Sequence, residues 1–186
     1  KNNRGKARVI AHAIKRLISE SSNVLVMGHR WPDMDSFGSA LGAYRMCEFM
    51  DKDVAIVLEE HNEALDTIYN AVEETEEYKI IKRSKAIDMV DDKTLLFVVD
   101  TNRPGIVECP ELLNLCKKIV VIDHHRKADD SITATDIEYV ESYASSSSEL
   151  ITEVLQHFSQ KKIISKLDAE ALLAGIMVDT NSYSIR

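Results

Sequence analysis

The stretch Ile119-Val120-Val121-Ile122-Asp123-His124-His125 decides the fold of this chain, because it joins an apolar run directly to three ionisable residues. Four consecutive β-branched side chains predict a buried strand. Ionisable groups at the end of such a strand are costly to bury unless they meet partners, water or a metal ion. The stretch therefore predicts a buried strand with a polar site at its carboxyl end.

Two further apolar runs end in the same way. Residues 24–27 (Val-Leu-Val-Met) and residues 95–99 (Leu-Leu-Phe-Val-Val) are both followed by acidic or histidine side chains. These side chains are His29, Asp33 and Asp35 after the first run and Asp100 after the second. Polar clusters at the ends of several apolar runs indicate one shared site.

Strand-like runs alternate with helical patterns along the chain, which predicts an α/β fold with a doubly wound, mainly parallel sheet flanked by helices. The predicted strands cover residues 24–27, 53–58, 78–81, 95–99, 119–122 and 133–140. The predicted helices cover residues 5–19, 36–50, 64–72, 84–90, 111–116, 145–158 and 168–178. Ligands of such sheets bind outside the carboxyl ends of the strands, where the polar clusters lie.

The helix after the first strand carries two local signals. Ser36 is predicted to cap its amino end. One face of the helix consists of small residues, which predict close packing on the sheet. These residues are Gly38, Ser39, Ala40, Gly42 and Ala43.

Composition limits the function classes. The formal net charge of −8 argues against binding of duplex nucleic acid, which needs a basic face, although metal ions can invert the charge of an acidic site. The three cysteines form no CxxC pair and favour a reduced, cytoplasmic setting. No apolar run is long enough to span a bilayer. Because the chain begins with Lys1, we interpret it as a piece of a longer protein.

The candidate ligands are two imidazoles and four carboxylates, without a thiolate. They are His29, Asp33, Asp35, Asp100, His124 and Asp179. Asp179 is included because the tetrapeptide Val-Asp-Thr-Asn occurs at residues 99–102 and again at residues 178–181. This donor set suits Mn²⁺, Mg²⁺, Fe²⁺ or Zn²⁺. Because four carboxylates in one cleft repel each other, two divalent cations would stabilise them, as in two-metal hydrolases.

Simpler interpretations of these motifs remain open. The segment Pro32-Asp33-Met34-Asp35 is also typical of a turn followed by a helix cap. Asp100 is also suited to capping the turn after its strand. The run Ser145–Ser148 predicts a helix cap, or else a helix amino terminus whose backbone amides hold a phosphate.

Taken together, the motifs resemble those of the DHH phosphoesterase superfamily. The segments that carry the resemblance are residues 29–36 (His-Arg-Trp-Pro-Asp-Met-Asp-Ser), 99–102 and 123–125. Residues 100–104 (Asp-Thr-Asn-Arg-Pro) and 143–150 (Tyr-Ala-Ser-Ser-Ser-Ser-Glu-Leu) are most similar to the GdpP-type cyclic-di-AMP phosphodiesterases. The resemblance covers essentially the whole chain.

The resemblance implies that residues 1–186 form a single DHH catalytic domain. The carboxyl-terminal DHHA1 domain and the upstream transmembrane, PAS and GGDEF regions of full-length relatives lie outside it. Those relatives are membrane-anchored, so this part is expected on the cytoplasmic side, in a full-length protein that forms a homodimer.

The resemblance also implies two Mn²⁺ ions, with Mg²⁺ or another divalent cation as the alternative. One ion would be held by His29, Asp33 and Asp100, and the other by Asp35, Asp100, His124 and Asp179, so that Asp100 bridges. Asp123 would orient a metal-ligating histidine, and His125 would face the scissile phosphate. The implied substrate contacts are Ser145, Ser146, Ser147, Asn102 and Arg103.

The implied activity is hydrolysis of cyclic-di-AMP to linear pApA by a water that two metal ions activate. The alternatives are a short-oligonucleotide ribonuclease or pAp phosphatase on the same scaffold, and a non-catalytic nucleotide- or metal-binding domain. Without a second domain to grip substrate, the isolated segment is expected to have weak activity or none. Trp31 stands where the family often has asparagine, and an exposed tryptophan there is able to stack on a base.

Overall fold

The computed structural model describes residues 3–183, and the side chains of residues 4–178. Its six strands are β1 (Asn23–Met27), β2 (Asp53–Val57), β3 (Ile80–Ile81), β4 (Leu95–Val99), β5 (Lys118–Asp123) and β6 (Ile137–Val140). They form one sheet in the order β3-β2-β1-β4-β5-β6, and every neighbouring pair is parallel. The predicted doubly wound parallel sheet is thus confirmed.

Helices cover both faces of this sheet. They are α1 (Asn3–Glu20), α2 (Met34–Phe49), α3 (Glu63–Thr75), α4 (Arg83–Met89), α5 (Glu111–Leu115), α6 (Ser147–Gln156) and α7 (Lys166–Tyr183). Val24 and Val26 of β1 belong to the core that α1, α2, α3, α6 and α7 share, whereas Leu25 and Met27 belong to the core of α4 and α5. Because both faces are covered, the strands are continuously apolar instead of alternating.

Most elements differ from their predicted bounds by a few residues, and three local differences are more specific. The cap of α2 is Asp33, whose Oδ1 accepts a hydrogen bond of 2.8 Å from the backbone N–H of Ser36, so the prediction of Ser36 as the cap was wrong. The edge strand β6 begins at Ile137, four residues later than predicted. A short 3-10 helix at Pro104–Ile106 was not predicted. The first two differences lie at element boundaries, which local pattern defines least well, and the third is a short additional element between β4 and α5.

The strand order reverses direction between β1 and β4, which are neighbours in the sheet although α2, β2, α3, β3 and α4 separate them in sequence. Chain segments that leave these two strands turn to opposite sides and open a crevice at their carboxyl ends. The predicted polar clusters follow β1, β4 and β5 and therefore border this crevice. Among the described residues, no helix combines the length and apolar character that crossing a membrane requires.

Candidate metal centre

Asp100 lies at the middle of the crevice, directly after β4. Its backbone has a φ of 61°, in the left-handed region that a residue with a side chain seldom adopts. Its N–H donates to the carbonyl of Ile122 at 3.0 Å, which ties the turn to β5, and its side chain is only 1% exposed. Such strain, of order 1–3 kcal/mol, persists where the surrounding structure fixes it and often marks a functional site.

The two carboxylate oxygens of Asp100 face different partners. Its Oδ2 lies 3.3 Å from Nε2 of His29. Its Oδ1 lies 3.5 Å from Nε2 of His124 and accepts a hydrogen bond of 3.0 Å from the hydroxyl of Ser147. The carboxylate therefore stands between two groups of potential ligands, as the predicted bridging role requires.

The first group consists of His29, Asp33 and Asp100, whose ligand atoms all lie within 4.8 Å of one another. Nδ1 of His29 donates to the carbonyl of Arg30 at 3.0 Å, which leaves Nε2 directed to the carboxylates. Although burial disfavours the charged ring, Asp100 and Asp33 raise the pKa of His29 to about 11. Asp33 caps α2, as the turn-and-cap interpretation of its segment allows, and its Oδ1 also lies 3.7 Å from Nε2 of His29.

The second group surrounds His124 on the other side of Asp100. Ligand atoms of Asp100, Asp123, His124 and His125 lie within 4.8 Å of one another. Oδ2 of Asp35 lies 3.5 Å from Nε2 of His124, so Asp35 belongs to the same neighbourhood. Of the predicted ligands, Asp179 lies in α7, but its side chain is outside the described residues.

The amino end of α6 holds Asp35 in place. The backbone N–H groups of Ser147 and Ser148 donate to its two carboxylate oxygens at 3.0 and 2.8 Å. Asp35 is fully buried, and burial together with repulsion from Asp100 raises its pKa to about 8. A helix terminus therefore supports the buried carboxylate of Asp35, and His124 is its ion-pair partner among the described side chains.

These donors fit a divalent cation. Among the described residues, Asp35 and Asp100 form ion pairs with histidines, and no lysine or arginine pairs with either carboxylate. Despite its burial, hydrogen bonds from His124 and His29 hold the pKa of Asp100 well below its usual range. Buried carboxylates that lack a lysine or arginine partner, set among imidazoles, are the donor set of Mn²⁺, Mg²⁺ or Zn²⁺ sites.

Asp123 orients His125. The Nδ1 atom of His125 lies 2.6 Å from Oδ1 of Asp123, and this hydrogen bond is the largest cause of a raised pKa of the imidazole. Oδ2 of the fully buried Asp123 accepts a hydrogen bond of 2.8 Å from the side-chain amide of Asn102. The sequence prediction was that Asp123 orients a metal-ligating histidine. In the structure this hydrogen bond goes to His125, the histidine that was expected to face the phosphate.

The serines before and within α6, of which Ser145, Ser146 and Ser147 were predicted as substrate contacts, make their contacts within the protein. Ser146 is the helix cap, with its Oγ accepting from the N–H of Glu149 at 3.0 Å, and Ser145 donates to the carboxylate of Glu149 through both N–H and Oγ. Ser147 is fully buried against Asp100. The alternative interpretation of this run was a phosphate held by the backbone amides, and in the structure the amides of Ser147 and Ser148 hold the buried carboxylate of Asp35.

Asn102 is likewise engaged within the protein. Besides the bond to Asp123, its amide donates to the carbonyl of Arg126 at 3.3 Å and accepts from the N–H of Ala128 at 3.0 Å. The amide therefore fixes the loop after His125, a role that its sequence position did not reveal.

A cavity of about 340 Å³ adjoins the cluster. Its walls include His29, Asp100, Asp123 and His125 of the two groups, together with the exposed Arg103. Sequence reasoning missed a second exposed arginine in this wall, Arg126, although its position directly after Asp123-His124-His125 was an available signal. Two guanidinium groups beside a potential cation site suit a phosphorylated ligand.

Comparison with curated proteins shows two relevant relatives. Cyclic-di-AMP phosphodiesterase GdpP of Bacillus subtilis (strain 168) is 41% identical over 191 residues, which span 100% of this chain and 29% of that protein. "Probable bifunctional oligoribonuclease and PAP phosphatase NrnA" of Streptococcus mutans is 31% identical over 173 residues, which span 89% of this chain and 48% of that protein. The chain thus spans less than a third of the length of GdpP.

The fold has a counterpart among solved structures. An exopolyphosphatase-related protein from Bacteroides fragilis superposes with a TM-score of 0.71 at 22% identity, covering 93% of this chain and 50% of that chain. In sequence, residues 23–176 match the model of the DHH family, N-terminal domain. That match extends from β1 into α7 and includes every described side chain of the two ligand groups. The chain therefore belongs to the DHH family.

Proposed function

We propose that this chain is the catalytic domain of a metal-dependent phosphodiesterase that hydrolyses cyclic-di-AMP to linear pApA. The observation that carries the proposal is the placement of Asp100, whose two oxygens face His29 on one side and His124 on the other. One carboxylate shared by two ligand groups is the arrangement of a two-metal site. The similarity to GdpP over the whole chain supports cyclic-di-AMP as the substrate.

The two ligand groups support an assignment of two cation sites. His29, Asp33 and Asp100 would hold one cation, and Asp35, Asp100 and His124 would hold the other, with Asp179 completing the second set. Two Mn²⁺ ions, or other divalent cations, supply an activated water and neutralise charge on the phosphoryl oxygens. The backbone N–H groups at the amino end of α6 hold Asp35 in position.

His125 acts on the phosphoryl group itself. Asp123 holds its Nδ1, so the ring presents Nε2 as a hydrogen-bond donor from the wall of the cavity. Charge that develops on the phosphoryl oxygens is stabilised by such a fixed donor. The water oxygen joins phosphorus as the water gives up a proton, the P–O3′ bond breaks, and the released 3′-oxygen takes up one proton to become the hydroxyl of pApA.

Arg103 and Arg126 serve binding. Both are exposed in the wall of the 340 Å³ cavity, and the nearest acidic partner of Arg103 is Asp130, at 3.8 Å. A cyclic dinucleotide carries a second phosphate that needs a cationic partner while the first is at the metal ions. These arginines supply that charge in a protein whose net charge is −8.

The test uses the full-length protein. D100N is expected to abolish Mn²⁺-dependent opening of cyclic-di-AMP, because one of its two bridging oxygens becomes an amide nitrogen that binds no metal. D92N is the matched control, since the Asp92 side chain is 91% exposed and pairs with Lys117 away from the crevice. Cleavage by D100N at the rate of D92N would refute the two-metal assignment.

A second candidate is a short-oligonucleotide ribonuclease or pAp phosphatase, which the similarity to NrnA favours. The same cation sites serve either reaction, so the substrates separate them. Values of kcat/KM for cyclic-di-AMP, pApA and pAp are to be compared on the same preparation. Highest efficiency with cyclic-di-AMP is expected, and a preference for pAp would favour the second candidate.

A further inference from the structure

Trp31 presents a large aromatic ring to solvent beside the metal centre. Its side chain is 64% exposed, although tryptophan is usually mostly buried. Its backbone φ is 58°, a left-handed conformation that is an outlier for so bulky a residue. Trp31 lies two positions after the ligand His29, and strained residues of this kind cluster at ligand sites.

The segment that carries the ring is held on both sides. The N–H of Arg30 donates to the carbonyl of Ile106 at 2.7 Å, and its guanidinium donates to the carbonyl of Gly105, also at 2.7 Å. His29 forms an antiparallel bridge with Val107. The ring is therefore presented by a fixed segment, which keeps the entropy cost of ligand binding low.

Trp31 lines a second cavity, of about 230 Å³. The remaining walls are Arg30, Glu59, Glu60, Arg83 and Glu108. Guanidinium groups donate hydrogen bonds and carboxylates accept them, so the polar edge of this cavity matches the mixed donors and acceptors of a base edge. An aromatic face with such an edge suits a flat, polar heterocycle.

This cavity adjoins the cation site. Arg30 and Trp31 line it, whereas the preceding residue His29 lines the 340 Å³ cavity. Its wall residue Glu108 donates its N–H to the carbonyl of Gly28 at 2.9 Å, directly before His29. One short segment, residues 29–31, therefore contributes walls to both cavities.

We propose that Trp31 is the stacking platform for a nucleobase of the substrate, whose phosphate lies at the ligand cluster around Asp100. The inference rests on the proposed function for the identity of the substrate, and on the ring, the strained backbone and the cavity for the contact itself. Base–aromatic stacking tolerates any base, so Trp31 supplies affinity for a nucleotide, and the charged edge of the cavity supplies any base preference.

Trp31 is the single tryptophan of the chain, so its fluorescence reports the contact directly. The chain is titrated with AMP, pApA and, as a probe without a base, ribose 5-phosphate, all at saturating Mg²⁺. AMP and pApA are expected to change the emission saturably, and ribose 5-phosphate to leave it unchanged. An unchanged emission with AMP and pApA, or an equal change with ribose 5-phosphate, would overturn the inference.

Substitution supplies the second readout. W31A is expected to raise the Kd for AMP about 5- to 150-fold by calorimetry, the equivalent of about 1–3 kcal/mol for one stacked base. W31F should retain most of the affinity, because its ring still stacks. The control F49A removes another exposed aromatic, at the far end of α2, and should leave the Kd unchanged.

These readouts separate the inference from the proposed function. Binding and fluorescence need no turnover, so a protein that fails to cleave cyclic-di-AMP still tests the stacking. If W31A binds AMP as tightly as the unsubstituted chain and F49A does, Trp31 is not the platform, even where the phosphodiesterase activity is present.

Discussion

Replacing Ser147 with alanine is expected to weaken metal binding without removing a metal ligand. The hydroxyl of this fully buried residue donates to Oδ1 of Asp100 at 3.0 Å and accepts from the backbone N–H of His124 at 3.2 Å. One oxygen atom therefore fixes two of the proposed ligands relative to each other. In S147A the carboxylate loses a donor, and the N–H of His124 loses an acceptor.

The size of the effect follows from these two bonds. Removing a partner that orients metal ligands typically lowers metal affinity about 10- to 100-fold, which corresponds to about 1.4–2.7 kcal/mol. A hydrogen bond to a charged acceptor contributes about 1.5–3 kcal/mol, so the loss of the bond to Asp100 alone accounts for an effect of this size. We therefore expect the Kd for Mn²⁺ to rise about 10- to 100-fold.

The assay is calorimetric titration of the chain with Mn²⁺ at fixed pH. S145A is the matched control, because Ser145 belongs to the same run of serines but its hydroxyl donates to Glu149 instead of to the cluster. Loss of this hydrogen bond to a charged acceptor weakens the start of α6 by about 1.5–3 kcal/mol of unfolding free energy and leaves the proposed metal ligands in place. Unaltered Mn²⁺ affinity in S147A, or an equal loss in S145A, would refute the reasoning.

Two further substitutions test the packing and the support of His125. G38A is expected to lower the unfolding free energy in urea by about 1–3 kcal/mol, because a Cβ there would lie 2.6 Å from the backbone oxygen of Ala171. This cost outweighs the gain of about 1 kcal/mol that alanine brings to a helix, and G105A, with nothing within 4 Å of its Cβ, is the control. N102A removes the donor to Asp123, which orients His125, and should lower kcat of the full-length protein about 10- to 100-fold in the cyclic-di-AMP assay. An unchanged kcat would show that Asn102 does not support Asp123 and His125.

The sequence was sufficient to predict the sheet and the edge at which the site lies. Runs such as residues 95–99 have apolar side chains throughout and end abruptly at an ionisable residue, and both signals are local. A parallel sheet brings the carboxyl ends of its strands to one edge, so His29 and Asp100, 71 residues apart, were expected near each other before any contact was known.

The supporting contacts could not be predicted in the same way. The hydrogen bond from Ser148 to Asp35 joins residues 113 positions apart, and nothing in either segment specifies the other as its partner. From the local pattern, the serine run was suited either to a helix cap or to a phosphate site. In the structure Ser146 caps α6, and the next two backbone N–H groups donate to the carboxylate of Asp35. This second contact depends on the packing of α6 against α2, which no local pattern specifies.

That packing explains why the small face of α2 matters for the site. The face was expected to pack on the sheet, but a Cβ at Gly38 would meet the backbone of α7, and one at Gly42 would meet Ile151 of α6. Gly175 of α7 is equally constrained, since a Cβ there would lie 3.0 Å from the Cα of Asp35. Close approach of three helices brings the amides of α6 within hydrogen-bond distance of a buried carboxylate. A larger residue at any of these glycines would therefore displace the helix that stabilises the charge of Asp35. Such a substitution would alter the candidate metal centre indirectly, by moving the backbone, without contacting a proposed ligand.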